Sequence, residues 1–248
     1  MSSSAHNPQV SVVRVARPST VDLVATELRN AIFTGSLPVG APIVEGEMAR
    51  QLGVSRGPLR EAAQRLVEQG VLTSEPGRGL HVTVVDADQA ADVYRTRFAV
   101  EAQAVRSLAH RPAAASIESL ESRVRDLDQA KHGGEARVVG DHELAFHQML
   151  VDLANSPRLS SFMATLVIET RLASFSHPDG YKVMGGGSHT YCRLIEAISR
   201  ADSVRALRKL HSLLTQAFRH LTTSADGSVT LVPTPDDVPP PIGPITQG

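Results

Sequence analysis

Residues 47–62 read EMARQLGVSRGPLREA. One apolar-periodic run ends at Leu52, Gly53 follows, and a second run begins after Ser55. Helix, tight glycine-bearing turn, helix is the helix-turn-helix arrangement. The first helix covers about Glu45 to Leu52, with Met48, Ala49 and Leu52 inward. Ser55 stands where an N-cap belongs, and Leu59, Ala62, Ala63 and Leu66 form the inner face of the second helix. Pro58 falls in its first turn, where a missing N–H costs nothing. In such a pair the second helix enters the major groove by its N-terminal end. That end carries Ser55, Arg56 and Arg60, with Gln64 one turn further on. Arg56 and Arg60 lie one turn apart and can point the same way. Each can hold a guanine or a phosphate with two parallel hydrogen bonds. The plain structural reading is a helix pair with solvated arginines on its surface.

The flanking residues favour the first reading. Upstream, Ser19 or Thr20 caps a helix whose stripe is Val21, Val24, Leu28, Ala31 and Ile32, stopped by Gly35. Residues 37–42, LPVGAP, make a turn-rich connector. Downstream, Gly70 ends the second helix of the pair. Then come Val71-Leu72-Thr73, the glycine turn EPGRG over 75–79, and Leu80-His81-Val82-Thr83-Val84: strand, turn, strand. Gly77-Arg78-Gly79 puts a charge at a tip where backbone can approach DNA closely.

From Asp86 onward the pattern is helical throughout, with stripes at about 88–109, 116–131, 135–154, 158–175, 188–200 and 203–222. Breaks fall at Arg111-Pro112, Gly133-Gly134, Asn155-Ser156-Pro157, 177–187 and Arg200-Ala201-Asp202. Short connections of this kind predict an antiparallel bundle. The expected fold is mostly α. A flexible arm over 1–17 precedes a winged helix-turn-helix with a small β-hairpin over 18–85. An all-α ligand-binding and dimerisation bundle follows over 86–222, then a disordered proline-rich tail over 223–248.

The bulk numbers agree with a two-domain globular chain: 248 residues, 42% hydrophobic, 21% charged. No stretch approaches the roughly 18 uncharged apolar residues of a membrane span. The first 20 residues lack the apolar core of a signal peptide. A single cysteine, Cys192, excludes a disulfide framework and a cysteine zinc cluster. A cytoplasmic protein is the expectation. The net charge is −1, so DNA contact must come from where the arginines sit.

With these residues in hand, 19–84 resembles the DNA-binding domain of the GntR family of transcriptional regulators. The connector GSLPVG over 35–40, the core LGVSRGPLREAAQRLVEQGVL and the wing EPGRGLHV carry the likeness. The resemblance implies DNA contacts at Ser55, Arg56, Gly57, Arg60, Gly77 and Arg78. Gly57 stands where many members have a threonine, so a hydroxyl contact is lost. Gly46 offers no counterpart to the arginine with which a relative reads DNA from the preceding helix. Residues 86–222 resemble the helical effector domain, of FCD type, found in the FadR subfamily. RTRFAVEAQAVRSLA, ELAFHQMLVDLANSPRL and LIEAISRADSVRAL carry that likeness.

Many members of that subfamily hold a divalent metal such as zinc through one Asp and three His. Here the first two ligand positions are Glu143 and His147, one turn apart on an apolar stripe. The other two positions carry Tyr191 and Leu213. His189 and His211 each lie two residues away; His211 falls on an inward stripe and His189 does not. The candidate metal set is therefore Glu143, His147 and His211. Without a metal, His147 is a hydrogen-bonding wall of a ligand pocket shared with Arg97 and Tyr191. Arg97 has two readings: an ion pair with Glu101, or an anchor for a carboxylate.

The predicted function is a ligand-responsive regulator, a repressor released from a palindromic operator by a small organic acid. It is expected to be a homodimer, because one recognition helix covers one half-site. The alternative is a metal-dependent hydrolase using Glu143 and His147. It lacks a nucleophile motif, a P-loop, a Rossmann glycine pattern and a complete metal shell, so no enzyme is expected.

Overall fold

The structure is a computed structural model that describes residues 18–177 and 187–222. The arm expected over 1–17, the tail expected over 223–248 and most of the break at 177–187 lie outside the described residues. Helix α1 (Thr20–Phe33) begins at Ser19, whose side chain accepts from the Asp22 N–H while Asp22 returns the bond to the Ser19 backbone. Its buried face is Val24, Ala25, Leu28 and Ile32. Ala25 belongs to this face, although the sequence stripe passed over it. Helices α2 (Glu45–Gln51) and α3 (Arg56–Glu68) follow. Gly53 between them has φ +66°, the left-handed conformation that lets the chain turn this sharply.

The hairpin pairs β1 (Leu72–Glu75) with β2 (Gly79–Val82), Leu72 opposite Val82 and Glu75 opposite Gly79. The connector before α2 is more than a turn. Gly40 N–H donates to Val82 C=O, Val82 N–H to Ala41 C=O and Ile43 N–H to Leu80 C=O, so it lies along the free edge of β2. This pairing satisfies an edge otherwise left open.

Helices α4 (Ala87–His110), α5 (Ala114–Gly133), α6 (Ala136–Asp152), α7 (Pro157–Phe175), α8 (Ser188–Ser199) and α9 (Ser203–Thr222) form the second half. Helix α4 packs on α9, α7, α6 and α8, while α5 packs on α6 and α8. A core from Tyr94, Phe98, Leu120, Phe146, Leu194 and Leu214 fills the centre. Helix starts are locally encoded here too: Asp86 and Gln89 form a reciprocal cap on α4, and Ser156 with Pro157 opens α7.

Helix α7 joins the two halves. Leu172 is buried in the core of the N-terminal half with Leu28, Leu66 and Val82. Ser176 Oγ accepts from the Val85 N–H. Among the described residues no helix is long and apolar enough to cross a membrane.

Candidate DNA face and effector site

Every residue proposed to meet DNA lies on the surface. Ser55, Arg56, Gly57, Arg60 and Gln64 are exposed at and beyond the start of α3, and Gly77 and Arg78 at the hairpin tip. Ser55 occupies the N-cap position, but its hydroxyl makes no capping bond. The expectation that its side chain caps α3 is corrected: the hydroxyl is left for another partner. Arg60 turns back onto α2. Its Nη2 lies 2.9 Å from Glu45 Oε2, and its Nε donates to the same carboxylate at 3.2 Å. That hydrogen bond holds the Glu45 carboxyl below its usual range and raises the guanidinium. Arg78 pairs loosely with Glu75 at 3.5 Å and keeps most of its side chain in solvent.

The effector half is dry by contrast. Arg97 is 2% exposed and Glu101 fully buried. Arg97 Nε donates to Glu101 Oε1 at 3.0 Å, and Nη1 reaches Thr170 Oγ1 on α7 at 3.5 Å. Glu101 Oε2 meets His147 Nδ1 at 2.6 Å. Burial alone would raise the Glu101 carboxyl. The interactions with His147 and Arg97 outweigh it and hold the group below the ordinary carboxylate range. Of the two readings of Arg97, the ion pair with Glu101 is present. It does not use the whole side chain, since Nη2 is buried with no hydrogen-bond partner.

Glu143, one turn before His147 on α6, is 4% exposed, and its Oε1 also lacks a partner. Burial pushes this carboxyl up to about 8, against the pull of Lys131 and Arg97. Tyr191 on α8 closes the cluster, its ring 4.8 Å from Phe146 and 6.0 Å from His147. Burial, then the nearby Glu143, keeps its phenol protonated well past the usual value. Sequence and structure thus agree in bringing Arg97, His147 and Tyr191 together.

The metal set is not brought together. Among the described residues no group of three or more His, Cys, Asp or Glu side chains could share an ion. His211 packs edge-on against Phe98, with ring centroids 5.6 Å apart. His189 is exposed and accepts from Arg193. The reason is angular: a shift of two residues turns a helical side chain through about 200°. Tyr191 and Leu213, at the two expected ligand positions, are buried at 2% and 3% instead. The donors present do not fit the four-ligand shell that the resemblance implies.

Three contacts around these sites join residues that no linear spacing relates. Nothing in linear spacing ties Glu45 to Arg60, 15 residues away. Nor does spacing tie Thr170 on α7 to Arg97, 73 residues before it. Arg171 stacks over Phe33 of α1 at 4.5 Å and pairs with Asp141 of α6. With the bond from Arg137 to the Thr34 carbonyl at 2.6 Å, it ties α6 to the end of α1. A cleft of about 650 Å³ opens between the halves, lined in part by Thr73, Asp88, Asp92 and Glu169. It presents carboxylates, and Arg97, Glu143, His147 and Tyr191 are not among its lining residues.

Comparison with known proteins adds the rest. The family model of bacterial regulatory proteins, gntR family, matches residues 20–82, and the FCD domain model matches residues 92–216. The HTH-type transcriptional repressor RspR of Escherichia coli is 30% identical over 157 residues, 60% of this chain and 67% of that protein. An uncharacterized HTH-type regulator of Bacillus subtilis is 27% identical over 139 residues, 55% of this chain. That match spans 62% of the relative, less than two thirds of its length. A crystal structure of a GntR protein from Rhodococcus sp. RHA1 superposes with a TM-score of 0.72 at 25% identity. It covers 83% of this chain and 99% of that one. The hydrolase alternative draws no support from these matches.

Proposed function

The chain belongs to the gntR family of DNA-binding transcriptional regulators with an FCD effector domain, and from that we propose a homodimeric repressor released from a palindromic operator by a small organic acid. The observation that carries the effector class is the pair of unsatisfied groups in the bundle. Arg97 Nη2 is a buried donor without an acceptor. Glu143, with a pKa of about 8, is protonated at neutral pH and offers a second donor. Leaving such groups unpaired costs free energy, and a carboxylate accepting from both recovers it. The ligand pocket is then Arg97, Glu143, His147 and Tyr191, without a metal.

The DNA face is Ser55, Arg56, Gly57, Arg60 and Gln64 with the wing residues Gly77 and Arg78. A two-fold dimer presents two such faces to the two half-sites. The route between the sites is α7, which touches Arg97 through Thr170 and enters the DNA-binding half through Leu172. A ligand that binds the DNA-free arrangement better lowers DNA affinity by its differential affinity for the two states. The protein acts in the cytoplasm, where the operator is.

Mobility shift on the chain's own upstream DNA tests this reading. Arg60→Ala should weaken specific binding roughly 5- to 150-fold, the range of one guanine contact. Arg78→Ala should weaken specific and nonspecific binding alike. Parent-like affinity in both variants would sink the DNA face. His147→Ala should abolish release by the small carboxylate that stabilises the parent in a thermal-shift screen, while leaving operator binding intact.

A further inference from the structure

Two arginines near the start of α3 lie against the first turn of α2. Arg60 makes a side-on fork with Glu45, using Nε at 3.2 Å and Nη2 at 2.9 Å. A Cβ on Gly46 would lie 3.2 Å from Arg56 Nη2 and 3.6 Å from its Cζ, so the Arg56 guanidinium rests over that glycine. Gly46 has no left-handed backbone to demand glycine; its bare Cα is what makes room. The first turn of α2 is therefore a platform for both side chains.

A guanidinium carries five N–H groups. The fork to Glu45 spends the Nε hydrogen and one Nη2 hydrogen. The two Nη1 hydrogens and the second Nη2 hydrogen remain, and the end-on pair among them is a complete bidentate edge. That is the geometry guanine O6 and N7 require. Arg65, on the same helix, differs: its Nη1 goes to Asp22 and its Nη2 to Glu61, so it is held from both ends. The Arg60 side chain is 72% exposed. An exposed ion pair of this kind adds little to folding. Its consequence lies in what it does to the arginine. An arginine free to turn can settle on a phosphate, a contact that reads no sequence. One whose plane is fixed and whose charge is partly matched loses that option before it loses the base.

We propose that Glu45 is a specificity-determining residue that touches no base: through its carboxylate fork it fixes the plane of Arg60 for base reading. This rests on the DNA face assigned above. Glu45→Gln is near-isosteric and removes the charge and one acceptor. The full-length parent first selects an operator from a random duplex pool. Affinities for that operator and for a scrambled duplex are then measured by fluorescence anisotropy over a salt series.

In Glu45→Gln the ratio of specific to nonspecific affinity should fall about tenfold, within the range one bidentate contact supplies. Nonspecific affinity should hold or rise, with the salt slope steeper by up to about one unit as Arg60 turns to a phosphate. In an Arg60→Ala background the same change should cost nothing further, since the two residues act as one unit. An unchanged ratio in Glu45→Gln overturns the proposal, as does an equal loss of ratio with Arg60 already removed. If Arg60→Ala itself binds operator like the parent, the DNA face is wrong. If Arg60→Ala loses the ratio and Glu45→Gln does not, the face stands and only the role of Glu45 falls.

Discussion

Arg60 and Arg97 each meet a carboxylate at almost the same distance, 2.9 Å to Glu45 and 3.0 Å to Glu101. Around Arg60 is water; around Arg97 are Tyr94, Thr170 and a closed helical bundle. Solvent screens the first pair, and the edge of the Arg60 guanidinium that Glu45 leaves unused faces water. Burial makes the second pair expensive to open, so Arg97 is held in place while its Nη2 stays without a hydrogen-bond partner. One side-chain chemistry recurs in both halves, and solvent decides how firmly each pair is held.

Breaking the buried side should have the largest effect. Glu101→Ala removes the partner of Arg97 and of His147 and strands a buried charge. A loss of about 3–5 kcal/mol in urea denaturation is expected. A loss within the range of surface variants would mean that Arg97 reaches water.

The second test uses pH. The Glu143 carboxyl lies at about 8 in the folded chain against an ordinary 4.5. The folded chain keeps a proton that the unfolded chain gives up across this window. The stability this contributes is fully present below about 4.5 and is lost as pH rises through about 8. The parent should therefore unfold more easily at alkaline pH than Glu143→Gln, which cannot ionise. Parallel stability profiles for the two would contradict the assigned environment.

A third test sits where the two regions meet. Arg171→Met gives up both the guanidinium over Phe33 and the pair with Asp141. Amide exchange in the turn after α1, residues 34–37, should quicken while that of α3 stays as in the parent. Equal exchange in parent and variant would remove Arg171 from the joint. The smallest effect is expected at Arg65, whose pairs with Asp22 and Glu61 are exposed. Arg65→Ala should leave the unfolding midpoint nearly unchanged, and a large shift would show that surface pairs matter more here than their solvation implies.

The same division runs through what was legible beforehand. Several helix starts and stops are written within one turn of sequence: Ser19 with Asp22, Gly35, Gly53, and Ser156 with Pro157. Apolar spacing then selected the inner faces, which is why Leu59, Ala62 and Leu66, or Phe146 and His147, were found on the right side. The edge pairing of residues 40–43 with β2 was missed because glycines and prolines report a turn and say nothing of what lies beside it.

What the sequence alone determined is therefore local: the helix-turn-helix, the wing, the order of helices, and an inward position for Arg97, His147 and Tyr191. These follow from periodicity and capping, whose range is one or two turns. The tertiary structure decided the partners. It set Glu45 against Arg60 across 15 residues and His147 against Glu101 across 46. It also packed His211 on Phe98 outside any metal set, and joined Arg171 to both Asp141 and Phe33. Such pairings depend on how each helix is rotated and crossed against its neighbours. That rotation is fixed by the packing of the whole core, and no single stretch of chain contains it.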